Sequence, residues 1–120
     1  MTTTTPEEIE EFLNDVKKTI WTSFEQRFKP KNKNTLTALG YNWDDVKREI
    51  ASLTYKDYIE GPIQEHGTIN FVWKFGKIVQ DKEIYIKIKL IGINNLGEKI
   101  DTVYCLSFHF KEKNINYPYK

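Results

Sequence analysis

The first part of the chain carries apolar residues at the spacing of an α-helix. Thr5, Pro6 and Glu8 suit a helix start, as N-cap, first helical residue and capping-box partner. The apolar positions that follow keep the helical period: Ile9, Phe12, Leu13, Val16, Ile20 and Phe24. This pattern predicts a helix from about Pro6 to about Arg27, and residues 1–28 are expected to form an N-terminal helical extension.

A second helical region follows a break at Pro30. The proline ring drives Lys29 out of the α region. A short helix is predicted over about Asn34–Leu39, and Gly40 then supplies a left-handed C-cap.

A third helix is predicted to start after Asn42. This residue can act as the N-cap because Asp45 stands at the third helical position. One face of the helix is apolar and is formed by Trp43, Val46, Ile50 and Leu53. The stretch Thr54–Pro62 then predicts a turn-rich connection.

The second half of the chain changes to alternation with a period of two. Ile69–Phe75, Glu83–Leu90 and Thr102–Phe110 are rich in β-branched and aromatic residues, which predicts three strands. Gln80–Lys82 suits a tight hairpin turn, and Asn94–Glu98 suits a longer second connection. We therefore expect an α+β fold, with N-terminal helices packed on one face of a three-stranded or larger antiparallel sheet.

Length and composition predict one domain over residues 1–120. The apolar fraction of 39% is low, but 3 tryptophans, 7 tyrosines and 7 phenylalanines supply large rings for a core. The tail after Lys111 is expected to be ordered only loosely.

The same composition predicts a soluble cytoplasmic protein. Cys105 is the single cysteine, so no intrachain disulfide can form, as is usual in a reducing compartment. Residues 1–5 lack the features of a signal peptide, and no apolar run approaches the roughly 20 residues of a membrane span. The net charge of +1 does not by itself indicate a nucleic-acid binder.

Alternation along the strands predicts which side chains share the face of the sheet away from the helices. In the last strand it separates Tyr104, Leu106, Phe108 and Phe110 from Val103, Cys105, Ser107 and His109. The outward face should gather Lys74, Tyr85, Lys87, Ser107 and His109. Connecting loops are expected to bring Lys77 and Glu60 near it.

These residue types suit RNA cleavage without a metal ion. A base removes the proton of the ribose 2′-hydroxyl, and that oxygen attacks the adjacent phosphorus. Lysines stabilise the charge on the phosphorane, and an acid protonates the leaving 5′-oxygen. Histidine titrates near neutral pH, and tyrosine can stack on a base. Taken alone, each of these residues more often has a solvated or structural role than a catalytic one.

The sequence lacks the motifs of other common chemistries. It contains no glycine-rich phosphate loop, no HExxH motif and no paired cysteines. We therefore expect neither a cofactor nor a metal site.

The order of several short motifs resembles the MqsR-type toxins, a branch of the RelE-like messenger-RNA interferases. The resemblance covers roughly Lys33–Lys111 and rests on these segments: Leu39-Gly40-Tyr41, Trp43-Asp44-Asp45-Val46, Leu53-Thr54-Tyr55-Lys56-Asp57-Tyr58, Glu60-Gly61-Pro62, Val72-Trp73-Lys74-Phe75-Gly76-Lys77, Glu83-Ile84-Tyr85-Ile86-Lys87-Ile88 and Cys105-Leu106-Ser107-Phe108-His109. It implies a RelE-like fold and a metal-independent endoribonuclease of a toxin–antitoxin pair. Its partners would be mRNA, free or on the ribosome, and a cognate protein antitoxin, with no direct binding of DNA.

The resemblance also implies roles for individual residues. Tyr85 matches the sheet tyrosine of the family, and His109 falls where the best-studied members have lysine. The implied catalytic residues are His109, Lys87, Tyr85 and Glu60. Independently of the resemblance, the predicted substrate-binding residues are Lys74, Lys77, Lys89 and Tyr58.

Two other interpretations stay open at this point. The chain could be a non-catalytic α+β module that binds a protein with the same sheet face, or a degenerate toxin that binds its antitoxin without cutting RNA. The grouping of lysine, tyrosine and histidine favours the enzyme, whereas the net charge of +1 favours the two binding proteins.

Overall fold

The computed structural model describes residues 4–27, 29–68, 70–92 and 101–120, and within these ranges it is an α+β fold. Three α-helices and five strands follow one another in this order: α1 (Pro6–Thr19), β1 (Phe24–Gln26), α2 (Pro30–Leu39), α3 (Trp43–Ala51), β2 (Tyr58–Gln64), β3 (Phe71–Val79), β4 (Lys82–Ile91) and β5 (Thr102–Phe110). A short 3-10 turn, Tyr55–Asp57, leads into β2.

The five strands form one mixed sheet in the order β1-β5-β4-β3-β2. Strands β2 to β5 pair antiparallel with their sequence neighbours, as expected, whereas β1 pairs parallel with β5 at one edge. The helices pack against one face, where the core contains Ile9, Leu13, Val16, Ile20, Leu36, Leu39, Val46, Ile50, Phe75, Ile84, Ile86, Ile88 and Phe108. The opposite face of the sheet, hereafter the open face, is available to a ligand.

The capping signals in the sequence are confirmed. Thr5 and Asn42 each accept a hydrogen bond from the backbone three residues later, at Glu8 and Asp45, and both capping boxes are complete. Gly40 is the left-handed C-cap of α2, with φ of 71°.

The prediction that the first helix reaches Arg27 is wrong. Helix α1 ends at Thr19, and Phe24–Gln26 is a strand instead. The intervening Thr22 and Ser23 are poor helix formers because their hydroxyls compete for backbone groups. Phe24 keeps helical spacing, but it pairs with β5, so tertiary pairing overrides the local period. Residues 6–26 thus contribute a helix and an edge strand to the common sheet and core.

Two other boundaries also differ from the prediction. Helix α2 begins at Pro30 and not at Asn34, because proline suits the first helical position, where no N–H is needed. Much of the predicted connection Thr54–Pro62 belongs to the edge strand β2. An edge strand tolerates Pro62, since its missing N–H can face away from the ladder.

The first hairpin is confirmed, and the tail is better anchored than predicted. Gln80 and Asp81 have φ of 50° and 64°, as a two-residue turn between β3 and β4 requires. The predicted connection Asn94–Glu98 lies outside the described residues. The expectation of a loose tail is wrong, because Tyr117 bonds to Glu83 and the Tyr119 ring packs against the core.

Strict alternation fails in β5, where Leu106 is an extra residue. Lys87 of β4 pairs with Ser107, but the next residue, Ile88, pairs with Cys105. The bulge turns Val103 and Cys105 to the core and brings Tyr104 opposite Lys89. The predicted grouping of β5 therefore holds after Leu106 and is reversed before it.

Helix α2 covers the part of the β5 edge that β1 leaves unpaired. The fully buried Asn32 amide donates to the carbonyls of Arg27 at 3.1 Å and Leu106 at 3.2 Å. Its oxygen accepts from the backbone N–H of Phe108 at 3.0 Å, and the Thr35 hydroxyl accepts from that of Phe110 at 3.3 Å. Side chains thus replace a sixth strand at this edge.

Candidate functional site

The predicted polar residues occupy two neighbouring rows of the open face. Directly paired residues in antiparallel strands point to the same side of a sheet. The first row, across β3, β4 and β5, is Gly76, Tyr85 and His109. The second row, across β2 to β5, is Glu60, Lys74, Lys87 and Ser107. The structure therefore confirms the placement of these side chains on one face.

An open cleft of about 890 Å³ lies over part of these rows, and Lys87 and Ser107 lie outside it. Lys74, Tyr85 and His109 line its floor, and β2 forms one wall around Glu60. The second wall is the C-terminal tail, which runs along the cleft over residues 111–118. The cleft thus brings four of the predicted site residues within reach of one ligand.

His109 is set deep in the floor, with 8% of its surface exposed. Its Nδ1 lies 2.9 Å from the carbonyl oxygen of Phe110, which can only accept a hydrogen bond. The neutral ring therefore carries its proton on Nδ1 and presents an unprotonated Nε2. Among the described residues Nε2 has no hydrogen-bond partner, so it can accept a proton from a ligand.

Tyr85 lies beside the histidine, with ring centroids 5.3 Å apart. Burial is the largest influence on the Tyr85 phenol and raises its pKa above the ordinary value. The Lys74 ammonium opposes this effect, and the Glu60 carboxylate adds to it. Tyr85 therefore stays protonated at neutral pH and can donate a hydrogen bond.

Glu60 and Lys74 form an ion pair in the cleft, with a distance of 3.2 Å between carboxylate oxygen and Nζ. The Glu60 side chain is 57% exposed, so the pair contributes little to stability. Its effect is to hold the lysine ammonium beside Tyr85.

Lys87 differs from the other lysines of the face. Within the described ranges its ammonium has no hydrogen bond or ion pair. Burial lowers the Lys87 pKa most, and the positive charges of Lys74 and Lys29 lower it further. The Glu65 carboxylate opposes this shift, and Arg27 adds a smaller lowering effect. An uncompensated cation that lies among other cations favours binding of an anion.

Three residues predicted at the site are not accessible there to a ligand. Lys77 pairs in register with Ile84 on the helix face, where it bonds to Ser52 and forms an ion pair with Glu49 at 3.2 Å. Tyr58 is fully buried beneath the β2 wall, with its hydroxyl 2.5 Å from the Gly61 carbonyl oxygen. It borders the cleft as a core residue and offers no exposed surface to a substrate.

The third of these, Lys89, is on the open face but outside the cleft. Its side chain is 8% exposed, and its Nζ lies 2.6 Å from a carboxylate oxygen of Glu65. The same contact lowers the Glu65 pKa. Because Lys89 is neutralised and buried, it is not available as a free phosphate ligand.

The role of the tail as a wall of the cleft is not predicted by the sequence pattern. The Tyr117 hydroxyl donates to Glu83 at 2.7 Å, and Lys111 pairs with the same carboxylate at 2.9 Å. A Cβ on Gly76 would overlap the Tyr117 ring. The only available signals were a glycine inside a strand and the aromatic sequence Tyr117-Pro118-Tyr119.

The described part of the chain contains no group of three or more histidine, cysteine, aspartate or glutamate side chains that could hold a metal ion. None of its helices is long and apolar enough to cross a membrane. No protein-family model, curated protein or solved structure matches this chain.

Proposed function

We propose that the protein is a metal-independent endoribonuclease, the toxin of a toxin–antitoxin pair with a RelE-like fold of the MqsR type. The observation that carries the proposal is the convergence of His109, Tyr85 and the Glu60–Lys74 pair in one cleft. Lys87 lies in the adjoining row, and its charge has no counterion among the described residues. The motif resemblance supplies the link to mRNA and to a protein antitoxin.

In the proposed reaction His109 is the general base. Its Nε2 takes the proton of the ribose 2′-hydroxyl, and Phe110 holds the reactive tautomer through Nδ1. The 2′-oxygen attacks the adjacent phosphorus, and the bond from phosphorus to the 5′-oxygen breaks. The products are a 2′,3′-cyclic phosphate and a free 5′-hydroxyl.

Lysines and the tyrosine act on the phosphate in this scheme. Lys74 and Lys87, directly opposite each other on β3 and β4, stabilise the negative charge of the phosphorane. The lowered pKa of Lys87 makes its ammonium a better proton donor to the leaving 5′-oxygen than an ordinary lysine. Glu60 positions Lys74, and Tyr85 donates to a phosphate oxygen or stacks on a base.

Expression in bacteria without a partner tests the proposal. We expect growth arrest together with new RNA 5′ ends, and we expect His109→Gln to relieve both. Loss of a general base typically lowers a rate by about 10²–10⁴-fold, which a growth assay detects.

The matched control is His66→Gln, because His66 is the other histidine of the chain and is exposed in the turn after β2. It should stay as toxic as wild type. If folded His109→Gln arrests growth and cuts RNA as fast as wild type, the assignment of the base is wrong. If wild type generates no RNA ends, the proposed activity is wrong.

A further inference from the structure

Positive charge is concentrated on the open face well beyond the cleft. Five cations gather there, which we call the cationic strip: Arg27, Lys29, Lys74, Lys87 and Lys89. Three carboxylates face this strip: Glu60, paired with Lys74, Glu65, paired with Lys89, and the exposed Glu25, which pairs in register with Tyr104. The strip thus has an excess of two positive charges, whereas the whole chain has a net charge of +1.

Two features of the strip destabilise the folded protein when no ligand is bound. Lys74 and Lys87 are directly opposite each other in the β3–β4 register, and like charges at such positions destabilise a sheet. Lys87 is also partly desolvated without a counterion in the described structure. Residues that lower the stability of the folded protein are expected at sites where a bound ligand offsets that cost.

The strip ends at an aromatic ring that sequence alternation alone would not have placed there. The bulge at Leu106 brings Tyr104 to the open face, opposite Lys89. The guanidinium of Arg27, at the end of β1, lies 6.0 Å from the centre of this ring, and its side chain is 43% exposed. Its nearest carboxylate, Glu65, is 4.0 Å away and already lies 2.6 Å from Lys89. The Arg27 charge is therefore only weakly compensated.

Tyr85, Lys87 and Lys89 define the direction of the strip along β4. Alternate residues of a strand lie about 6.6–6.8 Å apart, so the Tyr104 row is roughly 13 Å from the His109 row. A chain of phosphates that leaves the cleft would pass Lys87 before it reaches Arg27. The Tyr104 ring is half-buried, and the Lys89 ammonium also lies 5.3 Å from its centre. A planar cation beside a partly exposed aromatic ring suits a nucleotide, since guanidinium binds phosphate and both groups stack on bases.

We propose that Arg27 and Tyr104 form a second nucleotide subsite, which binds the phosphate and base of a nucleotide flanking the one in the cleft. The ligand is single-stranded RNA that crosses the open face from His109 over Lys87 to Tyr104. The inference rests on the proposed function for the identity of the ligand, and it adds two residues to the site.

Binding of uncleavable RNA tests the subsite separately from catalysis. The probes are fluorescent 2′-O-methyl oligonucleotides, a pentamer and a dimer, titrated by anisotropy over a salt series. Arg27→Ala should weaken pentamer binding and reduce the salt slope by about 0.7, the value for one phosphate contact with a single strand. Tyr104→Leu should weaken pentamer binding by about 5- to 150-fold, as loss of one base stack does.

Two controls limit the interpretation. Dimer binding should be unchanged in both variants, because a dimer fills the cleft alone. Lys18→Ala, which removes an exposed charge from α1 on the other side of the sheet, should bind both probes as wild type does. Circular dichroism and thermal melting confirm that each variant is folded.

The outcomes separate the subsite from the activity. Wild-type affinity of both variants for the pentamer, or equal losses for pentamer and dimer, would overturn the subsite whether or not the protein cuts RNA. Selective loss of pentamer binding would support it, even if wild type fails to cleave any RNA and the proposed function is wrong.

Discussion

Asn32 provides the most demanding test of the fold, because its side chain makes three of the hydrogen bonds that replace a strand at the edge of β5. Substitution to alanine removes both amide hydrogen bonds to Arg27 and Leu106 and the acceptor for Phe108. Asn32 is fully buried, so the backbone groups it leaves behind face protein and not bulk water.

The cost follows from the number of groups left unsatisfied. The N–H of Phe108 and the carbonyl of Leu106 both lose a buried partner, and each such loss costs about 1–3 kcal/mol. We therefore expect Asn32→Ala to lower the free energy of unfolding by about 2–5 kcal/mol. This is a large part of the total, which is about 5–15 kcal/mol for a typical domain.

Urea denaturation measures this loss, and the same helix supplies a control. With a slope of about 1–3 kcal/mol per molar urea, the midpoint should fall by about 1–3 M. Asn34→Ala, on the exposed side of α2, makes the same chemical change and should shift stability by no more than about 0.5 kcal/mol. Equal small shifts for the two variants would refute the claim that Asn32 completes the edge of β5.

Three further predictions concern the tail, the pH dependence and the thiol. Gly76→Ala should displace the Tyr117 ring and raise the KM for a short RNA. The control Ala38→Gly, on the exposed side of α2, should leave the KM unchanged. An unchanged KM in both variants would show that the tail wall does not contribute to RNA binding. Because burial and neighbouring cations lower the pKa of Lys87, this lysine loses its charge at a lower pH than an ordinary lysine does. In Lys87→Arg the alkaline fall of kcat/KM should therefore shift to higher pH. If the fall stays at the same pH, Lys87 does not contribute to the rate. Burial raises the pKa of Cys105 to about 12. A disulfide reagent at pH 8 should therefore label this thiol only after the protein unfolds. Rapid labelling of the folded protein would contradict the burial of Cys105.

Local signals were sufficient for the helix caps and for most of the open face. Thr5, Gly40 and Asn42 act within one turn of the chain, so their roles follow from the neighbouring residues alone. Tyr85 and Lys87 follow from alternation in a regular strand.

The features that sequence could not predict depend on distant contacts. Strand β1 is three residues long and forms only because β5 offers it an edge. The bulge at Leu106 changes which side of the sheet Tyr104 faces, and nothing in a strictly alternating strand indicates its position. Lys77 was expected near the site, but the register of β3 turns it towards Glu49 on α3.

The candidate site likewise contains residues that local sequence predicts and features that depend on distant contacts. His109, Glu60 and Lys74 were predicted and converge in the cleft. The cleft wall made by residues 111–118 depends on the long-range contact of Tyr117 with Glu83. Tyr58 is predicted to bind substrate, but it is buried because its segment forms strand β2, which the sequence pattern does not indicate.

Cleavage of a short RNA that carries one 2′-deoxy nucleotide tests the central claim most directly. The purified protein is incubated in EDTA with an all-ribose RNA and with the same RNA lacking the 2′-hydroxyl at the mapped cleavage position. The account predicts that the all-ribose RNA yields a 2′,3′-cyclic phosphate and a 5′-hydroxyl, and that the 2′-deoxy RNA stays intact at that position. Cleavage of the 2′-deoxy RNA, products with 5′-phosphates, or loss of all cleavage in EDTA would contradict the proposed attack by the 2′-hydroxyl.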